Sequence, residues 1–141
     1  MTAAKLIVVW VWFTAQVFNA ACLNMPSMRV GELDGLWGSY SPWFPGGRVT
    51  VEADAPRFAA VHEMAHHLFY ACDIQNRPVG RRFLAASGHS SWDGPAIEGF
   101  AATLTWVLTG QGRQDIDRHA AWTLRPLIGD PSAAQEGRLG W

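Results

Sequence analysis

Residues 55–72 read APRFAAVHEMAHHLFYAC, and this stretch decides how the rest of the chain is interpreted. Apolar residues recur in it every three or four positions, which is the spacing of one face of an α-helix. Asp54 is a candidate N-cap, and Pro56 suits the first turn because the N–H that proline lacks has no partner there. The pattern predicts an amphipathic helix over residues 55–72.

This predicted helix contains His62, Glu63 and His66 in an HExxH sequence. Four residues turn an α-helix by about 400°, so the imidazoles of His62 and His66 lie about 40° apart around the helix axis and one turn apart along it. In this position they can bind one ion together. Zinc suits neutral imidazole nitrogen, and Glu63 lies close enough to act as general base toward a zinc-activated water. The alternative is a helix with solvated histidines that bind nothing.

A third protein ligand is expected downstream. Glu98 is the best candidate, because it interrupts the apolar face of a second predicted helix that begins at residues 93–95 and ends at Gly110. A buried carboxylate there needs a cation, whereas an exposed one is simply favoured by the helix dipole. His89 and Asp93 stay open as alternative ligands. His67 lies about 100° around the helix from the second histidine, so it is expected to pack or pair outside the metal site.

The HEMAH sequence followed by Glu98-Gly99-Phe100-Ala101 resembles the gluzincin metallopeptidases, in which a glutamate on the helix after the HExxH helix is the third zinc ligand. The resemblance implies a zincin-like α+β fold, with His62, His66 and Glu98 as zinc ligands and Glu63 as catalytic base. It also implies a peptide or protein substrate lying along residues 48–52. The chain is far shorter than the aminopeptidases that carry a similar EGFA, so a minimal, single-domain endopeptidase is the expected form.

An oxyanion-stabilising donor is usual in such sites. His119 is the candidate catalytic residue for this role, with Arg118 and Tyr40 as alternatives, and no motif chooses among them. A different class of function is also open. The protein can instead be a non-catalytic structural or interaction module in which a vestigial or structural zinc site staples a small fold.

The remaining pattern predicts a small, mostly antiparallel sheet packed on the HExxH helix and the following helices. Residues 28–33 and 36–40 are expected as strands flanking the turn signal Asp34-Gly35, and residues 48–52 alternate as a third strand. Residues 73–94 are expected as a long connection with a short helical stretch at 82–86. A third helix is predicted over residues 115–128, followed by a loose tail at 129–141.

The composition indicates one globular domain over residues 1–141. Hydrophobic residues make up 49% of the chain and charged residues 16%, which excludes a largely disordered protein. The net charge of −1 provides no electrostatic reason to bind a polyanion, so nucleic acid is not an expected partner.

Residues 1–23 include an unbroken apolar run at 6–13 and are interpreted as a core element, a possible signal peptide or, less readily, a membrane anchor. Membrane association is expected only through this segment, and the domain is expected to be soluble, either secreted or cytoplasmic. Cys22 and Cys72 are expected as buried thiols in preference to a single bridge.

Overall fold

The computed structural model describes residues 1–17, 21–112 and 115–128, which form a mixed α+β structure. The predicted tail at 129–141 and residues 18–20 of the apolar segment lie outside the described residues. The α-helices are α1 (Ala3–Gln16), α2 (Arg57–Ala71), α3 (Pro78–Ser87) and α4 (Gly94–Thr109); the strands are β1 (Ser27–Val30), β2 (Gly38–Ser41) and β3 (Arg48–Val51); 3₁₀ helices span Ile74–Asn76 and Arg118–Leu127.

The sheet has the order β1-β3-β2, with β1 parallel and β2 antiparallel to β3. The predicted mostly antiparallel arrangement, with the first two strands adjacent, is therefore wrong. Asp34 and Gly35 do reverse the chain with positive φ values. However, the strands end and begin well away from this turn, which leaves room for β3 between them. Val49 and Val51 are fully buried, so β3 takes the centre of the sheet.

The two helices that carry the motifs form much as predicted. Helix α2 begins two residues later than expected, with Pro56 rather than Asp54 at the N-cap. Helix α4 agrees with the prediction at both ends, because the Asp93 side chain accepts a hydrogen bond from the Ala96 amide and Gly110 ends the helix in the left-handed region. Helix α2 is covered by α1, the sheet and α4.

The connection between these helices is more regular than predicted. It contains a 3₁₀ helix and the ten-residue α3, where only residues 82–86 were expected to be helical. The third predicted helix is a 3₁₀ helix that contains Pro126. Proline has no N–H to donate and clashes with an α-helical backbone, which explains the tighter and shorter form.

The apolar N-terminal segment is a core element from Ala3 to Gln16. Helix α1 buries Leu6, Val9, Trp10 and Phe13 against α2 and β1. Among the described residues, no helix combines the length and the apolar character that crossing a membrane requires.

Cys22 and Cys72 form a disulfide, so the expectation of buried thiols is wrong. The segment before β1 passes the C-terminal end of α2 and brings the two Cα atoms to 5.2 Å, within the usual range for a bridge. Nothing in a separation of 50 residues reveals this contact. The bridge fixes the end of the HExxH helix to the chain that leads into the sheet.

Candidate metal centre

Three side chains from α2 and α4 converge at one point. The Nε2 atom of His62 lies 3.1 Å from Oε2 of Glu98, and Nε2 of His66 lies 2.9 Å from Oε1 of the same carboxylate. One ligand atom from each residue lies within 4.8 Å of the others. Ligand atoms about 2.05 Å from a tetrahedral zinc ion stand about 3.3 Å apart. The donor types and their separations therefore fit a divalent cation, and this group can hold a metal ion.

The helices position this group as the spacing predicted. His62 and His66 follow each other by one turn of α2, with ring centroids 4.8 Å apart. His66 is nearly buried, whereas the Glu98 side chain is 48% exposed and faces the cleft. Two ligands on one rigid helix and a third on the helix packed against it form a preorganised site.

The electrostatics favour an ionised Glu98. Hydrogen bonds from His62 and then from His66 hold the pKa of its carboxyl group well below the ordinary range, and they outweigh the opposing effect of partial burial. The carboxylate is therefore charged at neutral pH and ready to bind a cation.

Glu63 lies beside the triad and is nearly buried, with 8% of its surface exposed. It packs directly against the backbone of β2. A Cβ atom added at Gly38 would lie 2.7 Å from Cγ of Glu63 and 2.9 Å from Oε1. The absence of a side chain at Gly38 thus lets the carboxylate of Glu63 lie between the helix and the strand, on the wall of the cleft.

The side chain of His67 lies outside the group formed by His62, His66 and Glu98, as predicted. Its Nε2 lies 2.7 Å from the Asn24 carbonyl oxygen, which can only accept, so this nitrogen donates. Burial lowers the pKa of His67, more than the hydrogen bond to Asn24 raises it, and the neutral ring accepts from the Tyr40 hydroxyl at Nδ1. Tyr40 also stacks on His66.

The sequence pattern did not reveal this network. The sequence feature that indicates it is Gly47. This glycine has a φ of +80°, and a Cβ atom added there would lie 2.4 Å from the Tyr40 hydroxyl oxygen. Burial, and then the charge on Tyr70, raise the pKa of Tyr40 to about 12.

The alternative ligands are occupied elsewhere. His89 Nε2 lies 3.1 Å from Oδ2 of Asp117, and Asp93 caps α4. These contacts explain the glycine of the EGFA sequence, because a Cβ atom at Gly99 would lie 2.2 Å from Oδ2 of Asp117. Among the described residues, the candidate ligands are the three predicted ones.

The structure does not bring His119 to the cleft. The 3₁₀ helix of Arg118–Leu127 packs on α3, and His119 Nε2 lies 3.4 Å from the Ser87 carbonyl oxygen. Arg118 lies over the ring of Trp106. Of the three proposed oxyanion donors, Tyr40 is the one that lines the cleft, and its hydroxyl group is bonded to His67.

The triad lies in a cleft of about 540 Å³. Helices α2 and α4 form its base and one wall, and β2 with the residues before it forms the other wall. Within the described part of the chain, no strand pairs with the outer edge of β2. The metal-binding group therefore faces a space that is bordered by an open strand edge.

No protein-family profile, curated protein or solved structure matches this chain.

Proposed function

We propose that this protein is a zinc-dependent peptidase, a minimal zincin of the gluzincin type, with His62, His66 and Glu98 as the zinc ligands. The observation that carries the proposal is the meeting of these three side chains at ligand spacing inside an open cleft. A zinc ion held by three protein ligands acts as a Lewis acid and lowers the pKa of a coordinated water to about 7. Two imidazoles and one carboxylate are a donor set that zinc prefers.

Glu63 is the proposed general base. Its position next to His62 on α2, nearly buried against Gly38, restricts its carboxylate to the cleft wall beside the ligands. From there it takes a proton from the attacking water and passes it to the leaving amine. A residue held by packing on two sides is oriented for this transfer before substrate arrives.

The substrate is proposed to bind along β2. Residues 48–52 were the predicted peptide-binding strand, but β3 lies in the centre of the sheet and has neighbours on both sides. Directly before β2, the Trp37 carbonyl group accepts from the Glu52 amide. Because hydrogen-bonded pairs alternate in an antiparallel ladder, the backbone groups of Gly38 and Tyr40 point away from β3. An extended peptide can therefore add to this edge as a further strand.

The proposal is tested first by metal content. The purified protein should contain one zinc ion per chain, and Glu98→Ala should lower this stoichiometry. Glu32→Gln, which changes an exposed carboxyl group outside the cleft, is the matched control and should retain the metal. Full zinc content in Glu98→Ala would remove this residue from the ligand set.

Peptide hydrolysis tests the catalytic part. A digest of a peptide library should show cleavage that stops with a chelator and returns with added zinc. Glu63→Gln should keep the zinc and lose hydrolysis. Hydrolysis retained by this variant would exclude Glu63 as the base, and a metal-loaded wild-type protein that cleaves no peptide would leave the structural zinc site as the better explanation.

A further inference from the structure

Among the described residues that line the cleft, acidic side chains outnumber lysines and arginines. Its acidic residues are Glu63, Glu98 and Asp115, and none of the described residues that line it is a lysine or an arginine. A divalent ion in the triad is balanced by the carboxylates of Glu98 and Glu63. Among the described lining residues, the remaining charge is the carboxylate of Asp115, and a negatively charged cleft attracts positively charged groups.

Asp115 lies at one end of the cleft. Phe58 lies one turn before the first histidine ligand on α2, and Ala102 lies one turn after Glu98 on α4, and both line the cleft. A Cβ atom added at Gly112 would lie 3.8 Å from the Ala102 carbonyl oxygen, and Gly112 and Asp115 both line the cleft. Phe58, Ala102 and Asp115 therefore share the end formed by the start of α2.

The opposite end is formed by the C-terminal half of α2 and the start of α4. Tyr70 lies one turn after the second histidine ligand, and Gly94 lies one turn before Glu98. Tyr40 and Pro42 line the cleft near Tyr70, because the Tyr40 ring stacks on that of Tyr70. The metal-binding group thus separates two ends, and the end at Tyr70 carries no acidic residue among its described lining residues.

The direction of the bound peptide follows from β2. Gly38 packs on Glu63, and Tyr40 contacts His67, so β2 and α2 run in the same direction. Antiparallel pairing is slightly more stable per residue than parallel pairing, so an added strand is expected to run opposite to β2. It enters at the Tyr70 end and leaves at the other. The residues after the cleaved bond therefore lie at the Asp115 end.

The side chains at this end suit a long basic residue. Trp37 and Phe58 form an edge-to-face pair with ring centroids 5.7 Å apart, and both line the cleft. Aromatic rings accept the aliphatic stem of arginine or lysine, while its charged group turns toward a carboxylate and water. A neutral aliphatic side chain contacts the rings but brings no opposite charge to Asp115.

We infer that the cleft selects peptides with an arginine or lysine shortly after the cleaved bond, and that Asp115 determines this preference. The inference rests on the proposed peptidase function and assigns a specificity-determining residue to the same site.

The experiment uses quenched fluorescent peptides that differ at one position. After mass spectrometry has located the cleaved bond, arginine, norleucine or glutamate is placed at each of the three following positions. For the position that reaches Asp115, we expect kcat/KM to be about two- to fivefold higher with arginine than with norleucine at low salt, as for an ion pair that keeps solvent contact. The preference should shrink as salt is added.

Variants assign the preference to one carboxylate. Asp115→Asn should abolish the arginine preference, and Asp115→Arg should favour glutamate. Asp54→Asn, which removes the same charge at an exposed position outside the cleft, should keep the wild-type preference. An arginine-to-norleucine ratio that is the same in wild type and Asp115→Asn would overturn the inference.

A binding measurement separates this inference from the proposed function. The zinc-loaded Glu63→Gln protein is titrated with the same peptides, and tryptophan fluorescence is followed because Trp37 lines the cleft. Tighter binding of the arginine peptide, lost when Asp115→Asn is added, supports the preference even if no peptide is cleaved. Equal affinities for the arginine and norleucine peptides overturn it, whether or not hydrolysis occurs.

Discussion

Replacing Gly38 by alanine should impair catalysis while leaving the metal site intact. The new Cβ atom would stand 2.7 Å from Cγ of Glu63, whereas two carbon atoms pack best at about 3.5–4.0 Å. Cγ is close to the backbone of α2, so Glu63 cannot relieve this contact by moving only its carboxylate. The side chain has to shift by about 0.8 Å or change rotamer.

The size of the effect follows from this displacement. A misplacement of about 1 Å in a catalytic site can lower the rate about 100-fold, which corresponds to about 2.7 kcal/mol of transition-state stabilisation. We therefore expect Gly38→Ala to lower kcat/KM by between about tenfold and 100-fold. The three atoms nearest to the new methyl group all belong to Glu63 and none to a proposed zinc ligand, so zinc stoichiometry should stay at the wild-type value.

The assay compares kcat/KM on one quenched peptide with zinc content and thermal unfolding of the same samples. Gly31→Ala is the matched control, because its Cβ atom would lie 3.6 Å from Cγ2 of Thr50, an ordinary contact distance. Wild-type kcat/KM in Gly38→Ala at full zinc content would refute the proposed position of Glu63. Equal losses in both variants would instead indicate a general response of the sheet.

Three further predictions concern the support around the site. The pKa of Tyr40 is raised from 10.0 to about 12, so the neutral hydroxyl group contributes its full stabilisation of the fold below pH 10 and loses it as the pH rises toward 12. The difference in unfolding free energy between wild type and Tyr40→Phe, measured by urea titration, should therefore shrink between pH 10 and pH 12. Replacing Cys22 and Cys72 by serine removes a bridge across 50 residues and should cost about 4 kcal/mol in the same assay, and an unchanged midpoint would contradict a stabilising bridge. Gly99→Ala should lower the unfolding free energy by about 1–3 kcal/mol, as measured by thermal unfolding. The loss should be smaller in an Asp117→Ala background, because the oxygen atom that the new methyl group meets is then absent. Equal losses in both backgrounds would exclude that contact.

Much of the metal group could be predicted from the sequence, because its information is local. His62 and His66 are related by one helical turn, and that relation holds wherever the helix lies. Glu98 was selected because a carboxylate interrupts an otherwise apolar helix face, and the structure places it 2.9–3.1 Å from both histidine nitrogen atoms. Asp93 and Gly110 likewise marked the ends of α4 through interactions that are confined to a single turn.

The features that were predicted wrongly depend on contacts between distant parts of the chain. The positive φ values of Asp34 and Gly35 turn the chain, but only the burial of Val49 and Val51 determines that β3 lies between the other strands. The placement of His119 outside the cleft likewise depends on distant contacts, because it is determined by where the 3₁₀ helix of Arg118–Leu127 packs.

Some of these distant contacts explain why glycine occurs at particular positions in the chain. Gly38, Gly47 and Gly99 occur in three different parts of the chain, and in each case an added Cβ atom would lie within 3 Å of a polar group; at Gly38 and Gly47 that group lies beside the candidate metal centre. At Gly38 the group is the proposed base, at Gly47 it is the tyrosine that stacks on His66, and at Gly99 it is the carboxylate that binds His89. Gly47 also needs its positive φ, but Gly38 and Gly99 do not, so close packing is the reason for glycine at those two positions. A small domain cannot surround its site with additional layers of structure, and backbone brought directly against the functional side chains is the remaining way to hold them in place.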